Sequence, residues 1–207
     1  MEVEKMSQVN LDGHKKGGKD KKILLLLAVV FILPFTIAST LHLLNVRPGG
    51  KSFGQLVTPV VQLTIPAFTD INGKPFADTQ WNKIWSIVMI DSASCDLACE
   101  ENVDKLNRVH RSLYKEEDRV QRVLILKNDF DAARIQALQT KFPALIILPA
   151  KDLAQKEFVT KFDEVAPEGS IYLVDPMHNL MMFYSGQVEP KGLRKDMMKL
   201  LKNSWGG

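Results

Sequence analysis

Two cysteines, Cys95 and Cys99, are the only ones in the 207-residue chain, and their spacing sets the chemistry to look for. They lie where an apolar, β-branched run, Ile84 to Ile90, ends in Asp91-Ser92-Ala93-Ser94 and a helical pattern opens at Glu100. A thiolate at a helix N-terminus is stabilised by the exposed amides and the helix dipole, so its pKa should fall. Asp96, Glu100 and Glu101 oppose that effect while attracting cations. Residues four apart on a helix have Cα atoms about 6 Å apart, within disulfide range.

Three kinds of chemistry fit such a pair. A structural staple would close a loop of about five residues, worth only about 2 kcal/mol by the chain-entropy treatment. A redox centre would cycle between dithiol and disulfide, although thioredoxin-type motifs place two residues between the cysteines, not three. A Cu(I) site would use both thiolates as soft ligands, at low coordination number. Methionines at 181, 182, 197 and 198 could add soft donors, but adjacent strand residues face opposite ways and Met197 continues an apolar helical stripe. Core filling is the expectation for them. There is no Ser/His/Asp set, Gly-rich phosphate loop or carboxylate pair with acid/base geometry.

The pair must be held by a sheet and a helix, and the pattern supplies both. Ile84–Ile90 is nearly continuously apolar, as a central strand covered on both faces should be. Cys99, Val103, Leu106, His110 and Leu113 make one stripe of an amphipathic helix. Further strands are expected at Val60–Leu63, Val120–Leu126, Ala144–Leu148, Ile171–Val174 and Leu180–Tyr184. Asn72-Gly73 marks a hairpin, and Asp175–Asn179 a second one. Helices are expected from a cap at Asp129 or Asp131 to about Thr140, over Asp152–Phe162, and over Lys191–Lys202. Alternating β and α segments make this an α/β chain with a central mixed sheet flanked by helices.

From Ile23 to Leu44 the chain carries no charge for 22 residues, enough to cross the bilayer core as a helix, with Pro34 as a kink. Lys15, Lys16, Lys19, Lys21 and Lys22 precede it, against Arg47 and Lys51 after it, so the N-terminus should be cytoplasmic. With no good Ala-x-Ala site after the apolar segment, a retained signal anchor is expected rather than a cleaved signal peptide. The expected division is a cytoplasmic basic tail (1–22), a transmembrane anchor (23–44), a linker (45–59) and an extracytoplasmic domain (60–207). A bacterial inner membrane is the expected setting, with the domain periplasmic and the cysteine pair accessible to oxidants and metals. The formal charge is +3, with both signs intermixed, and nothing has the footprint of a nucleic-acid binder.

The string Asp70-Ile-Asn-Gly-Lys-Pro-Phe76, then Trp81, then Lys83-x-Trp85-Ser-Ile-Val-Met-Ile90, then Cys95-x-x-x-Cys99, resembles the Sco/SenC family. Those are membrane-anchored, thioredoxin-like proteins that assist copper delivery to cytochrome c oxidase. Ile171-Tyr-Leu-Val-Asp-Pro176 and the basic C-terminal helix are similar too, and the resemblance covers about Val60 to Lys202. It implies a thioredoxin-like fold, with Cys95 and Cys99 as Cu(I) ligands or as catalytic thiols that keep a client's cysteines reduced. The implied partner is a cytochrome c oxidase subunit or another copper or thiol client. The family's third ligand, a histidine, would fall near Pro167, where this chain has none, and Glu100 stands where the family has proline. On helix and strand geometry His110 should lie about 16 Å from Cys99 and His178 about 20 Å from the cysteine loop. His110 is therefore expected in the core or at its boundary, and His178 as a solvated turn residue. A general periplasmic thiol–disulfide oxidoreductase, or a tethered interaction domain with a structural disulfide, are the alternatives.

Overall fold

The apolar run forms one helix, α1, Lys19–Leu43, with Pro34 inside it. Its segment Lys21–Leu43 has a mean hydropathy of 2.6 and qualifies as a candidate membrane span. Thr36 and Thr40 satisfy their hydroxyls by donating to the carbonyls of Leu33 and Thr36, at 2.9 and 2.6 Å. The computed structural model describes residues 19–44, 52–91, 95–127, 130–185 and 189–204. The expected basic tail up to residue 18, residues 45–51 of the expected linker and Asp129 lie outside them. Residues 1–50 and 51–207 form two separate compact units.

In the second unit the central strand is β4, Trp85–Asp91, in which every residue but the last is buried. It pairs in parallel with β5, Val120–Leu126, and antiparallel with β7, Ile171–Val174. With β1 (Gln55–Gln62), β6 (Leu145–Pro149) and β8 (Asn179–Tyr184) the sheet runs β1-β8-β7-β4-β5-β6. The Asn72-Gly73 hairpin joins β2 (Phe68–Thr69) to β3 (Pro75–Phe76). Gly73 takes a φ of +80° there, while Asp70 Oδ1 accepts the amides of Asn72 and Lys74. The helices are α2 (Leu97–Arg111), α3 (Ala132–Lys141), α4 (Leu153–Asp163) and α5 (Pro190–Asn203). Asp96, Asp131 and Asp152 cap the first three through side-chain hydrogen bonds, satisfying amides that a helix start leaves open. This is a thioredoxin-like mixed sheet flanked by helices, as expected.

Alternation along β4 splits the core in two. Ile87 and Met89 join residues of α2, α3 and α5 on one face; Val88 and Ile90 join Trp81 and residues of α4 on the other. On that second face Phe76, Trp81, Phe158, Phe162 and Tyr172 form a chain of edge-to-face ring contacts, with centroids 5.0 to 6.1 Å apart. The Tyr172 hydroxyl donates to the carbonyls of Phe162 and Ala166, and burial pushes its pKa up to about 12.

The first strand begins at Gln55, five residues before the expected Val60. Pro59 interrupts its pattern, but β1 is an edge strand, where a missing donor is tolerated. Its start is fastened to α5: Asp196, only 4% exposed, accepts the amides of Phe53 and Gly54 at 2.7 and 2.9 Å and the Tyr184 hydroxyl at 3.0 Å. A Cβ on Gly54 would meet Met182 Sδ and Tyr184 Cζ at 2.6 Å, so only glycine fits there.

Candidate functional site

The C-terminal end of β4 and the first turn of α2 bring the two cysteines together as a disulfide. Their sulfurs are bonded at 1.99 Å and their Cα atoms lie 4.9 Å apart. Cys95 precedes the helix with φ +43°, a left-handed conformation that turns the chain back on itself. Asp96 follows as the N-cap: its Oδ1 accepts the Cys99 amide at 3.0 Å, and its carbonyl accepts the Glu100 amide at 2.9 Å. The anticipated juxtaposition at a strand-to-helix junction is present.

The anticipated accessibility is not. Cys95 is 2% and Cys99 4% exposed, and both belong to the core cluster of Met89, Val103, Leu106 and Ile135. The reason is the stripe on α2: Cys99 occupies its first position, so the pattern that buries Val103 and Leu106 buries the sulfur too. Oxidised and covered, the pair has no free thiolate to offer.

The electrostatic surroundings also differ from the sequence expectation. Each acidic neighbour is engaged: Asp96 caps the helix, Glu101 pairs with Lys105 at 3.0 Å, and Glu100 meets Lys141 of α3 at 2.7 Å. Lys141 holds the Glu100 carboxyl below its ordinary range, and Glu100 raises the Lys141 ammonium in turn. A cation that sequence spacing did not reveal comes from α3, where Arg134 Nε donates to the Cys95 carbonyl at 2.9 Å. It reaches the site only through tertiary packing, 39 residues away in sequence, so no local motif marks it.

Among the described residues no group of three or more His, Cys, Asp or Glu side chains could hold a metal ion. His110 is buried at the other end of α2, as expected, with Nε2 2.6 Å from the Val120 carbonyl and Nδ1 3.1 Å from Glu117 Oε1. Burial is the main reason its pKa lies below 6.5, and the nearby Arg122 adds to the effect. His178 departs from expectation. It takes φ +66° in the β7–β8 turn and is half-buried rather than solvated, with its Nε2 enclosed and without a hydrogen-bond partner. The cause is the packing of the hairpin, whose turn gives carbonyls to Leu63 and Lys83. Pro167 lies beyond the end of α4, and its carbonyl accepts the Ser170 hydroxyl and amide in the turn before β7. Met182 and Met197 are core residues, while Met181 and Met198 pack half-buried against them, as core filling requires.

The donor set is thus two sulfurs. After two-electron reduction they would suit Cu(I), a soft ion content with few ligands, far better than Cu(II).

Residues 85–204 match the family described as a transmembrane-like, thioredoxin-like C-terminal domain. No curated protein sequence matches the chain. Among solved structures, Arabidopsis thaliana ScoI with copper bound superposes with a TM-score of 0.57 at 16% identity, covering 70% of this chain and all of that one. A SCO1/SenC family lipoprotein from Bacillus anthracis gives 0.53 at 20% identity, covering 70% and 98%. A secreted Mycobacterium tuberculosis disulfide oxidoreductase homologous to E. coli DsbE gives 0.50 at 13%, covering 65% and 96%. At these identities the likeness is one of fold.

Proposed function

This chain belongs to the transmembrane-like, thioredoxin-like C-terminal domain family, and on that premise we propose that it is a membrane-tethered thiol–disulfide protein of the Sco kind. Cys95 and Cys99 are its working residues. Its setting is a bacterial inner membrane, with residues 1–22 in the cytoplasm, 23–44 crossing the bilayer and the thioredoxin-like domain in the periplasm. The lysine excess before α1 supports that orientation.

One observation carries the proposal: the only two cysteines are joined where β4 hands over to α2. In the dithiol state one thiolate attacks a client's disulfide sulfur, forming a mixed disulfide and releasing one client thiolate. The second cysteine then attacks its partner's sulfur and releases the other client thiolate. Two electrons pass to the client, and the Cys95–Cys99 disulfide is restored. The guanidinium of Arg134 beside the junction and the start of α2 both favour the thiolate form. The same dithiol can take Cu(I) as cargo, and the client is then the copper centre of cytochrome c oxidase. Burial of both sulfurs requires the cover over the junction to open before either exchange.

The test is an anaerobic Cu(I) titration of the reduced full-length protein in detergent, against a competing chelator. Tight one-to-one binding that disappears in Cys95→Ser and Cys99→Ser is expected for a copper carrier. No binding in the wild type removes direct copper delivery and leaves client reduction as the role.

The same burial favours a second reading, in which the disulfide is a fixed lock in a tethered interaction domain. A Cys95→Ser/Cys99→Ser protein that complements in cells would establish the lock; failure at wild-type abundance would dismiss it.

A further inference from the structure

The exposed side of α5 carries charge of one sign. Lys191, Arg194, Lys195, Lys199 and Lys202 are all exposed, whereas the helix's one acid, Asp196, is buried and engaged by three donors. At 100° per residue the five cations fall within an arc of about 140°, which also holds the half-buried Met198. Glu189, the exposed N-cap residue, is the acid flanking this face. Among the described residues none of Lys191, Arg194, Lys195 and Lys202 forms an ion pair. Arg194 Nε donates to the Ser112 carbonyl, and Lys195 Nζ sits 5.5 Å from the Phe53 ring centroid. The contrast with α2 is direct: there Lys105 and Arg108 are matched by Glu101 and Asp104 four residues before them.

The chain enters its folded domain against this same helix. Phe53 and Gly54 are tied to Asp196, and a Cβ on Gly192 would meet the Phe53 ring at 2.7 Å. Seven residues separate Leu44 from Ser52, a reach of no more than about 28 Å. The strand start that is tied to α5 therefore follows the apolar segment after a tether of only seven residues.

We infer that the basic face of α5 docks on the anionic phospholipid headgroups of the bilayer that holds α1. The inference rests on the membrane-anchored reading above. Each Lys or Arg near an anionic surface contributes enough to shift a bound-to-free ratio about fivefold, within a Debye length of the surface. Three to five of them make a docked state that responds strongly to salt.

The full chain, reconstituted in nanodiscs of phosphatidylcholine alone or with phosphatidylglycerol, can be probed by lysine acetylation and mass mapping. With the anionic lipid, Lys191, Lys195 and Lys202 should be modified several-fold more slowly, whereas Lys156 on α4 keeps its rate. The protection should vanish in 1 M NaCl. It should also vanish in Lys191→Gln/Lys195→Gln/Lys202→Gln, read through slower amide exchange of α5 in the wild type. Equal rates in both nanodiscs overturn the docking. So does protection that appears only when an acidic protein is added, which would reassign the face to a protein partner. Alkaline carbonate extraction of the chain from vesicles separates the two failures. A chain that washes off has lost its anchor, and the docking falls with it; one that stays but shows no protection loses the docking alone.

Discussion

Arg134 Nε lies 2.9 Å from the carbonyl oxygen of Cys95 and donates to it, pinning a cation of α3 beside the disulfide at the start of α2. This contact joins the Cys95–Cys99 loop to the neighbouring βα unit. A positive charge so placed stabilises a thiolate more than a thiol or a disulfide.

Arg134→Gln should therefore make the dithiol state less favourable. About 1 kcal/mol of lost stabilisation lowers the reduction potential by roughly 20 mV, while Arg134→Lys should keep most of it. Equilibration with glutathione buffers measures both. Identical potentials for all three proteins would show that the guanidinium merely ties α3 to the loop.

Converting both cysteines to alanine should cost about 2 kcal/mol through the five-residue loop alone, seen as a fall of about 4–8 °C in Tm. Protein reduced with dithiothreitol should show a similar loss. A wild-type Tm in the double variant would mean that the ring contributes nothing to the fold.

Asp196→Ala should be more damaging than its surface position in sequence suggests. It strands the Gly54 amide and the Tyr184 hydroxyl in the interior and releases the half-buried Phe53 amide, at about 2–4 kcal/mol. Burial and the Asp196 carboxylate already push the Tyr184 phenol above its ordinary pKa, so Tyr184→Phe, which removes one donor, should cost only about 1 kcal/mol. Hydrogen exchange at Gln55 and Leu56 should speed up in Asp196→Ala. An unchanged rate there would show that β1 is held by its pairing with β8 alone.

Acid should weaken the fold at His110. Burial favours the neutral imidazole, so its folded pKa lies below 6.5. The unfolded chain takes up this proton first. The stabilisation is complete above pH 6.5 and is lost as pH falls from there through the lowered folded value. The facing groups are Glu117, Arg122 and the Val120 carbonyl. His110→Gln should flatten the denaturation midpoint between pH 7 and 5 relative to the wild type. Parallel profiles for the two proteins would rule this histidine out as the source.

Much of the architecture was legible in residue periodicity. Ile171–Val174 and, despite Gln121 and Arg122, Val120–Leu126 are mainly apolar runs, and their bounds coincide with β7 and β5. The helix expected over Asp152–Phe162 forms as α4, with Asp152 as its cap. The start of β1 was hidden because Pro59 argues against a strand unless the strand is known to be an edge. The cysteines' meeting was legible from their spacing, but an open site was expected; the stripe of Cys99, Val103 and Leu106 buries Cys99. Arg134, the Asp196 tether and the enclosed His178 were not legible, since each depends on which elements pack together rather than on local pattern.

The reduction potential of the Cys95–Cys99 pair in the full-length, membrane-reconstituted protein tests the central claim most directly. A cycling pair should be reduced within the range of glutathione and dithiothreitol buffers, at a potential above about −300 mV, and return to the disulfide on oxidation. A potential well below about −300 mV, with sulfurs that resist alkylation in the native state, would contradict it and leave the disulfide as a fixed element of the core.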